Sequence, residues 1–288
     1  MIRRAVAVLI VAAAPVLGAQ EQVFSGSVPQ GAWLRIRNYK GDIRVSEGSG
    51  STVTINARRR DDETQFEVKR DGQNVTICAM TRYTTRCDER GYSSHSSRND
   101  DERRISRTDL VVTLPRGVKL VAATGNGDVD VRNAGAEVEA SSGNGEINVT
   151  GANGRVSASS GNGEIRVDGA EGDVDASSGN GDIYVTTTKG PVSANTGNGS
   201  IDVTMRALAG SGNEDMDFNT GNGTITVAFP ANLSARIEAN GAFRDFETDF
   251  PIDMGRGWSA NRVRGTIGSG SRRITFNTGN GRIKLRKI

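Results

Sequence analysis

The chain is poor in the residues from which most active sites are built. Its 288 residues include one histidine, His95, and two cysteines, Cys78 and Cys87. A Ser–His–Asp triad requires a histidine held rigidly by its neighbours. His95 instead sits in the polar, low-complexity stretch RGYSSHSSRNDDERR at 90–104, which reads as a disordered surface loop. Aromatic residues make up 5% of the chain. So few large side chains cannot fill a wide globular core, but small β-branched residues can fill a narrow one. Neither Trp33 nor Trp258 falls in the repetitive part of the sequence, so no row of sugar-stacking rings is available there.

Long apolar runs are also missing. The single candidate, residues 5–17, is interrupted by Pro15 and falls short of the roughly 20 residues needed to span a bilayer. Arg3 and Arg4 precede it and Gly18 and Ala19 follow it. That order of charged start, apolar run and small residues predicts a secretory signal peptide over 1–19, with an uncleaved anchor as the alternative. No cysteine follows the run, which argues against a lipid anchor. The expected destination is the periplasm or the cell surface. In that oxidising compartment Cys78 and Cys87 are expected to form a disulfide, and no C-x-x-C spacing suggests a redox pair.

The net charge of +2 hides an uneven distribution. Residues 123–203 carry twelve acids and four bases, whereas 20–122 carry fourteen acids and eighteen bases. An acidic centre argues against nucleic acid as a partner, because phosphate affinity needs clustered Lys and Arg. The one tight basic run, Arg58, Arg59 and Arg60, is followed at once by Asp61, Asp62 and Glu63.

What the chain has in abundance is glycine, 37 residues, much of it in a strict pattern. Gly-Asn-Gly begins at 125, 143, 161, 179 and 197, and again at 221 and 279. The eighteen-residue period divides into nonapeptides such as SSGNGEIRV at 159–167 and DGAEGDVDA at 168–176. Each ends in an alternation that buries one face of a strand. The inward set runs from Val129, Val131, Val138 and Ala140 through Ile165, Val167, Val174 and Ala176 to Ile201 and Val203. One coil cannot fold alone: burying about three apolar side chains contributes roughly 5–8 kcal/mol, against roughly 27 kcal/mol to order eighteen residues. Stacking must supply the difference. The fold class is therefore all-β, a single β-solenoid of about 18-residue coils, each made of two 9-residue halves; the sequence leaves its handedness open. NYKGDIRV at 38–45, TGNGTITV at 220–227 and TGNGRIKL at 278–285 extend the pattern outward. The chain thus divides into degenerate coils over 20–122, regular repeats over 123–203, and degenerate coils with a cap over 204–288. Residues 206–216 and 251–259 read as insertions.

Three columns follow from stacking. Asn126, Asn144, Asn162, Asn180, Asn198, Asn222 and Asn280 should form an amide ladder that satisfies turn groups and locks the register. Ser142, Ser160, Ser178 and Thr196 should form a hydroxyl column beside it. Asp128, Glu146, Glu164 and Asp182 should stack at roughly 4.8 Å, where like charges repel and a divalent cation could bind. They do not match the toxin-type calcium nonapeptide: Ile165 stands where the ligating Asp belongs, and Glu164 is one residue early. No cofactor is called for, with Ca²⁺ the only weak candidate. Carbohydrate-cleaving β-helices use outward carboxylates, and Asp173 and Asp175 fit that chemistry, yet they are routine outward positions of the repeat.

The segments NYKGDIRVSEG, LVVTLPRGVKLVAATGNGDVDV, the serial SSGNGEIRV coils and ITFNTGNGRIKL resemble the bacterial putative-adhesin family over roughly residues 30–288. That resemblance implies a β-solenoid domain associated with the cell envelope, in some members with envelope-stress responses, and it brings no catalytic residues. The function expected is a non-enzymatic, adhesin-like binding or structural module whose partner is an envelope polysaccharide or an envelope or surface protein. The alternative is a carbohydrate-active β-helix enzyme of the lyase or hydrolase type.

Overall fold

The computed structural model describes residues 20–59, 64–94, 105–208, 214–254 and 261–288. His95, Trp258 and residues 1–19 lie outside these residues. Among the described residues every regular element is a strand, and the inward set from Val129 to Val203 read from the repeat alternation is buried throughout. Each regular coil has a longer strand, such as Val138–Asn144, and a shorter one, such as Ile147–Thr150. Between them the chain turns through Gly-Asn-Gly. Successive coils pair in parallel and in strict register, Val138 on Val156, Ala140 on Ala158, Ile147 on Ile165. The longer strands form one face of a flattened solenoid and the shorter strands the other, around a single apolar core.

Two glycine columns make this stacking possible. A Cβ on Gly163 would lie 2.0 Å from the carbonyl oxygen of Gly145, and one on Gly161 would lie 2.5 Å from that of Gly143. Coils meet at the corner at a distance no side chain permits. The same corner has a buried hydroxyl: Ser142, Ser160, Ser178 and Thr196 donate to the carbonyls of Gly127, Gly145, Gly163 and Gly181 at 2.8 to 3.0 Å. These hydroxyls point inward, and the carbonyl each one serves belongs to the neighbouring coil.

The ends depart from simple sequential stacking. Trp33–Lys40 and Ile43–Gly48 form a coil that pairs with Lys119–Asn126 and Val129–Arg132. On its other side lie Asn74–Met80 and Thr108–Pro115, which come later in the chain. Antiparallel strands then close that end: Gln65–Asp71 on one face, Thr52–Arg59 and Gln20–Ser27 on the other. At the far end the last strand, Arg272–Lys287, inserts between the coil Met216–Phe229 and the strand Ala235–Thr248. Arg262–Ile267 covers the outside as an antiparallel edge. Among the described residues each face is twelve strands deep, a stack of roughly 50 Å at about 4.8 Å per strand. Threading of this kind buries the last coil's strand edges within the sheet, where an unpaired edge would invite aggregation.

Gly91–Ser94, within the stretch read as a loop, is a strand paired with Thr84–Asp88. Residues 95–104 lie outside the described set. Cys78 and Cys87 are joined in a disulfide that ties this hairpin to the strand Asn74–Met80. Arg37 donates to the Glu89 carbonyl at 3.3 Å, and Lys69 donates to that of Cys87. Burial, reinforced by the neighbouring Arg35 charge, holds Arg37 below its ordinary value, while Glu139 and Asp88 oppose the shift.

Candidate binding faces

Repeats place the same residue type at the same outward position in coil after coil, so the candidate sites are columns rather than clefts. The Asn column is a continuous ladder. The amide nitrogens of Asn144, Asn162, Asn180, Asn198, Asn222 and Asn280 each donate to the preceding Asn oxygen, starting at Asn126, at 2.8 to 3.1 Å. The ladder stands on the exposed side of the corner. The turn carbonyls it was expected to satisfy are served by the inward hydroxyls instead.

The acidic column is longer than the four residues the repeat revealed. Register places Asp109 beside Asp42 and Asp42 beside Asp128, ahead of Glu146, Glu164 and Asp182. The aspartates have structural work. Asp109 accepts the backbone N–H of Asp42 at 2.9 Å, Asp42 that of Asp128 at 3.0 Å, Asp128 that of Glu146 at 2.9 Å, and Asp182 that of Ser200 at 2.7 Å. Arginine supplies the countercharge: Arg44 lies 2.7 Å from Asp42, Arg107 bridges Asp42 and Asp109, and Arg166 pairs with Glu164. Burial of Asp42 opposes its charge, but the Asp128 N–H and the Arg107 guanidinium outweigh it and hold the carboxyl below the ordinary range. Arg166 also lies over the Tyr184 ring at 4.5 Å. Among the described residues no three acid, histidine or cysteine side chains converge where they could hold a metal ion. Asp173 and Asp175 stand on separate positions of the long-strand side, with Asp175 3.8 Å from Arg155.

A second amide ladder escaped the sequence reading. Asn219 donates to Asn195, Asn277 to Asn219, and Asn240 to Asn277, the last at 3.1 Å. It lies on the long-strand face, in the column that holds Ser141, Ser159 and Ser177 in earlier coils. Three of its members, Asn195, Asn219 and Asn277, each stand two residues before Gly-Asn-Gly and so share its spacing, whereas Asn240 joins from a strand whose spatial order is not its sequence order. Beside it the outward positions are Gly197, Gly221 and Gly279, and together they line a shallow open trough of about 580 Å³. At the opposite end of the same face, Arg35 and Lys119 flank the Trp33 ring at 5.7 and 5.2 Å.

Fold and faces together define a capped β-solenoid whose outer surface is ordered by ladders of identical side chains. The chain belongs to the family described as Toastrack DUF4097, whose model matches residues 33–286. Among solved structures it is similar to a protein described as a putative adhesin from Bacteroides fragilis. That likeness has 12% identity over 93% of this chain and 97% of the other, with a TM-score of 0.51, and shows a shared fold. It is also similar to a putative adhesin from Parabacteroides distasonis, at 11% identity over 93% and 97% of the two chains, with a TM-score of 0.40. No curated protein matches the chain. The described residues contain no helix long and apolar enough to cross a membrane.

Proposed function

We propose that this chain is a non-enzymatic, adhesin-like binding module of the cell envelope, exported and working outside the cytoplasm. One observation carries the reading: the outer faces are columns of repeated side chains, and in the acidic column Asp42, Asp109, Asp128, Glu164 and Asp182 are engaged with backbone amides or arginines. An active site concentrates unusual groups with perturbed pKa values in one place. Here the lowered carboxyl of Asp42 is explained by its role in joining coils. A repetitive face suits many weak contacts that gain affinity through effective concentration. The disulfide is in keeping with an oxidising compartment, and the Bacteroides fragilis neighbour, described as a putative adhesin, is in keeping with the binding role. The partner class is an envelope polysaccharide or an envelope or surface protein, and a part in envelope-stress responses is a finer reading of the same placement.

The test is incubation of the exported chain with a polysaccharide panel, followed by reducing-end and unsaturated-product assays. Binding without product is the expected result. Sustained turnover abolished by Asp173→Asn or Asp175→Asn would overturn the proposal.

A further inference from the structure

We infer that the trough along the second amide ladder binds an extended, uncharged glycan lying parallel to the rod axis. The inference rests on the binding-module reading and deepens it. Every residue lining the trough is Asn, Ser, Thr or Gly. A polyanion would find no countercharge there, and the surface between the amide and hydroxyl groups is mostly carbon from small residues, with no large apolar side chain. A hydroxyl-rich neutral chain matches that lining.

Hydrogen-bond accounting gives the amides their role. Asn219 and Asn277 each spend one N–H and one oxygen lone pair within the ladder. An Asn side chain has two donors and two acceptor positions, so each retains one donor and one acceptor for a ligand. Such a pair is suited to the vicinal hydroxyls of a sugar. The glycines beside it leave the ligand room to approach, and they are fixed in place, since a Cβ on Gly221 would lie 2.4 Å from the Gly197 carbonyl oxygen.

Spacing separates a glycan from a peptide. Ladder members recur at about 4.8 Å, the inter-strand distance, whereas an extended peptide advances about 3.3 Å per residue and would fall out of step within two residues. One sugar ring in an extended β-linked chain advances by nearly the ladder spacing. A peptide also gains affinity at a sheet by pairing with an edge strand, and the trough lies on the face of the sheet, where the backbone groups are consumed by the coil-to-coil ladder.

The column itself supplies the variants. Ser occupies this position at 141, 159 and 177 in well-formed coils, so Asn219→Ser with Asn277→Ser should fold while removing the two central amides and breaking the ladder between Asn195 and Asn240. Ser177→Asn should extend the ladder by one coil. Calorimetric titration of the exported full chain with a length series of soluble β-linked glucose and N-acetylglucosamine oligomers is the experiment, with polygalacturonate and a solubilised envelope-protein fraction as further arms. The expected result has three parts: affinity rises with oligomer length, the double variant loses about tenfold or more at unchanged melting temperature, and Ser177→Asn gains affinity. Glycan binding indifferent to both variants would overturn the trough and leave the binding-module reading standing. Binding confined to the polyanion or the protein fraction would overturn the neutral-glycan assignment alone. Binding to none of the arms would overturn both.

Discussion

Replacing Ile165 by Ala should destabilise the rod far more than replacing its neighbour Arg166 by Ala. Ile165 is fully buried, stacked between Ile147 and Ile183 in parallel register. Truncating a buried Ile typically costs 2–5 kcal/mol, the upper end applying where the site cannot collapse. Collapse is hindered here, because Ile147 and Ile183 are held by backbone hydrogen bonds to the same strand, such as Ile147 N–H to the Glu164 carbonyl at 3.0 Å. A loss of about 3–5 kcal/mol is expected. Arg166 is exposed but not idle: it pairs with Glu164 and lies over Tyr184. An exposed ion pair contributes about 0.2–1 kcal/mol and an exposed cation–π contact about 0.5–1 kcal/mol. Its removal should therefore cost no more than about 1–2 kcal/mol. Urea denaturation followed by far-ultraviolet circular dichroism, with free energies at equal m-value, measures both. Equal losses, or a larger one at Arg166, would refute the assignment of inward and outward positions.

Gly163→Ala should cost several-fold more than an ordinary surface Gly→Ala, since its Cβ would meet the Gly145 carbonyl at 2.0 Å; a melting temperature unchanged from wild type would contradict the close corner packing. Converting both Cys78 and Cys87 to Ala should free the hairpin of Thr84–Ser94 to proteolysis while leaving the rod's circular dichroism intact, because the nine-residue bridge is worth about 2–3 kcal/mol by chain entropy and ties down only that hairpin; loss of the whole β spectrum would show the bridge to be global. Asp42 titrates below its unfolded value in the folded state, so its contribution is present above the unfolded pKa and disappears as pH falls through the folded one. Asp42→Asn should lower stability at pH 7 and flatten the acid limb below about pH 4; an acid limb identical to wild type would remove Asp42 from the account.

Much of the fold was legible because a repeat forces every coil to solve the same packing problem. Val129 to Val203 could be sorted into inward and outward sets from alternation alone, and glycine spacing marked the corners. The ends were less legible because their neighbours are not sequence neighbours. Asp42 stands in the repeat pattern that NYKGDIRV extends, but Asp109 lies 67 positions further on, preceded by Thr108 with no glycine to mark it as part of the acidic column. The threading of Arg272–Lys287 inside Ala235–Thr248 has no signature in strand pattern, which specifies a face but not a partner. Of the ladder from Asn195 to Asn240, the first three members share a fixed place before Gly-Asn-Gly, and only Asn240 was hidden for the same reason. A polar residue at an outward position looks like ordinary solvated surface until register stacks four of them.

The central claim, that this rod binds an envelope component and transforms nothing, is tested most directly by one measurement. Exported full-length chain is titrated against purified envelope polysaccharide while the polymer's chain-length distribution is followed by size-exclusion chromatography. The account predicts saturable binding with an unchanged distribution through many equivalents of time and protein. A distribution that shortens steadily with added protein, or a titration with no binding at any concentration, would contradict it.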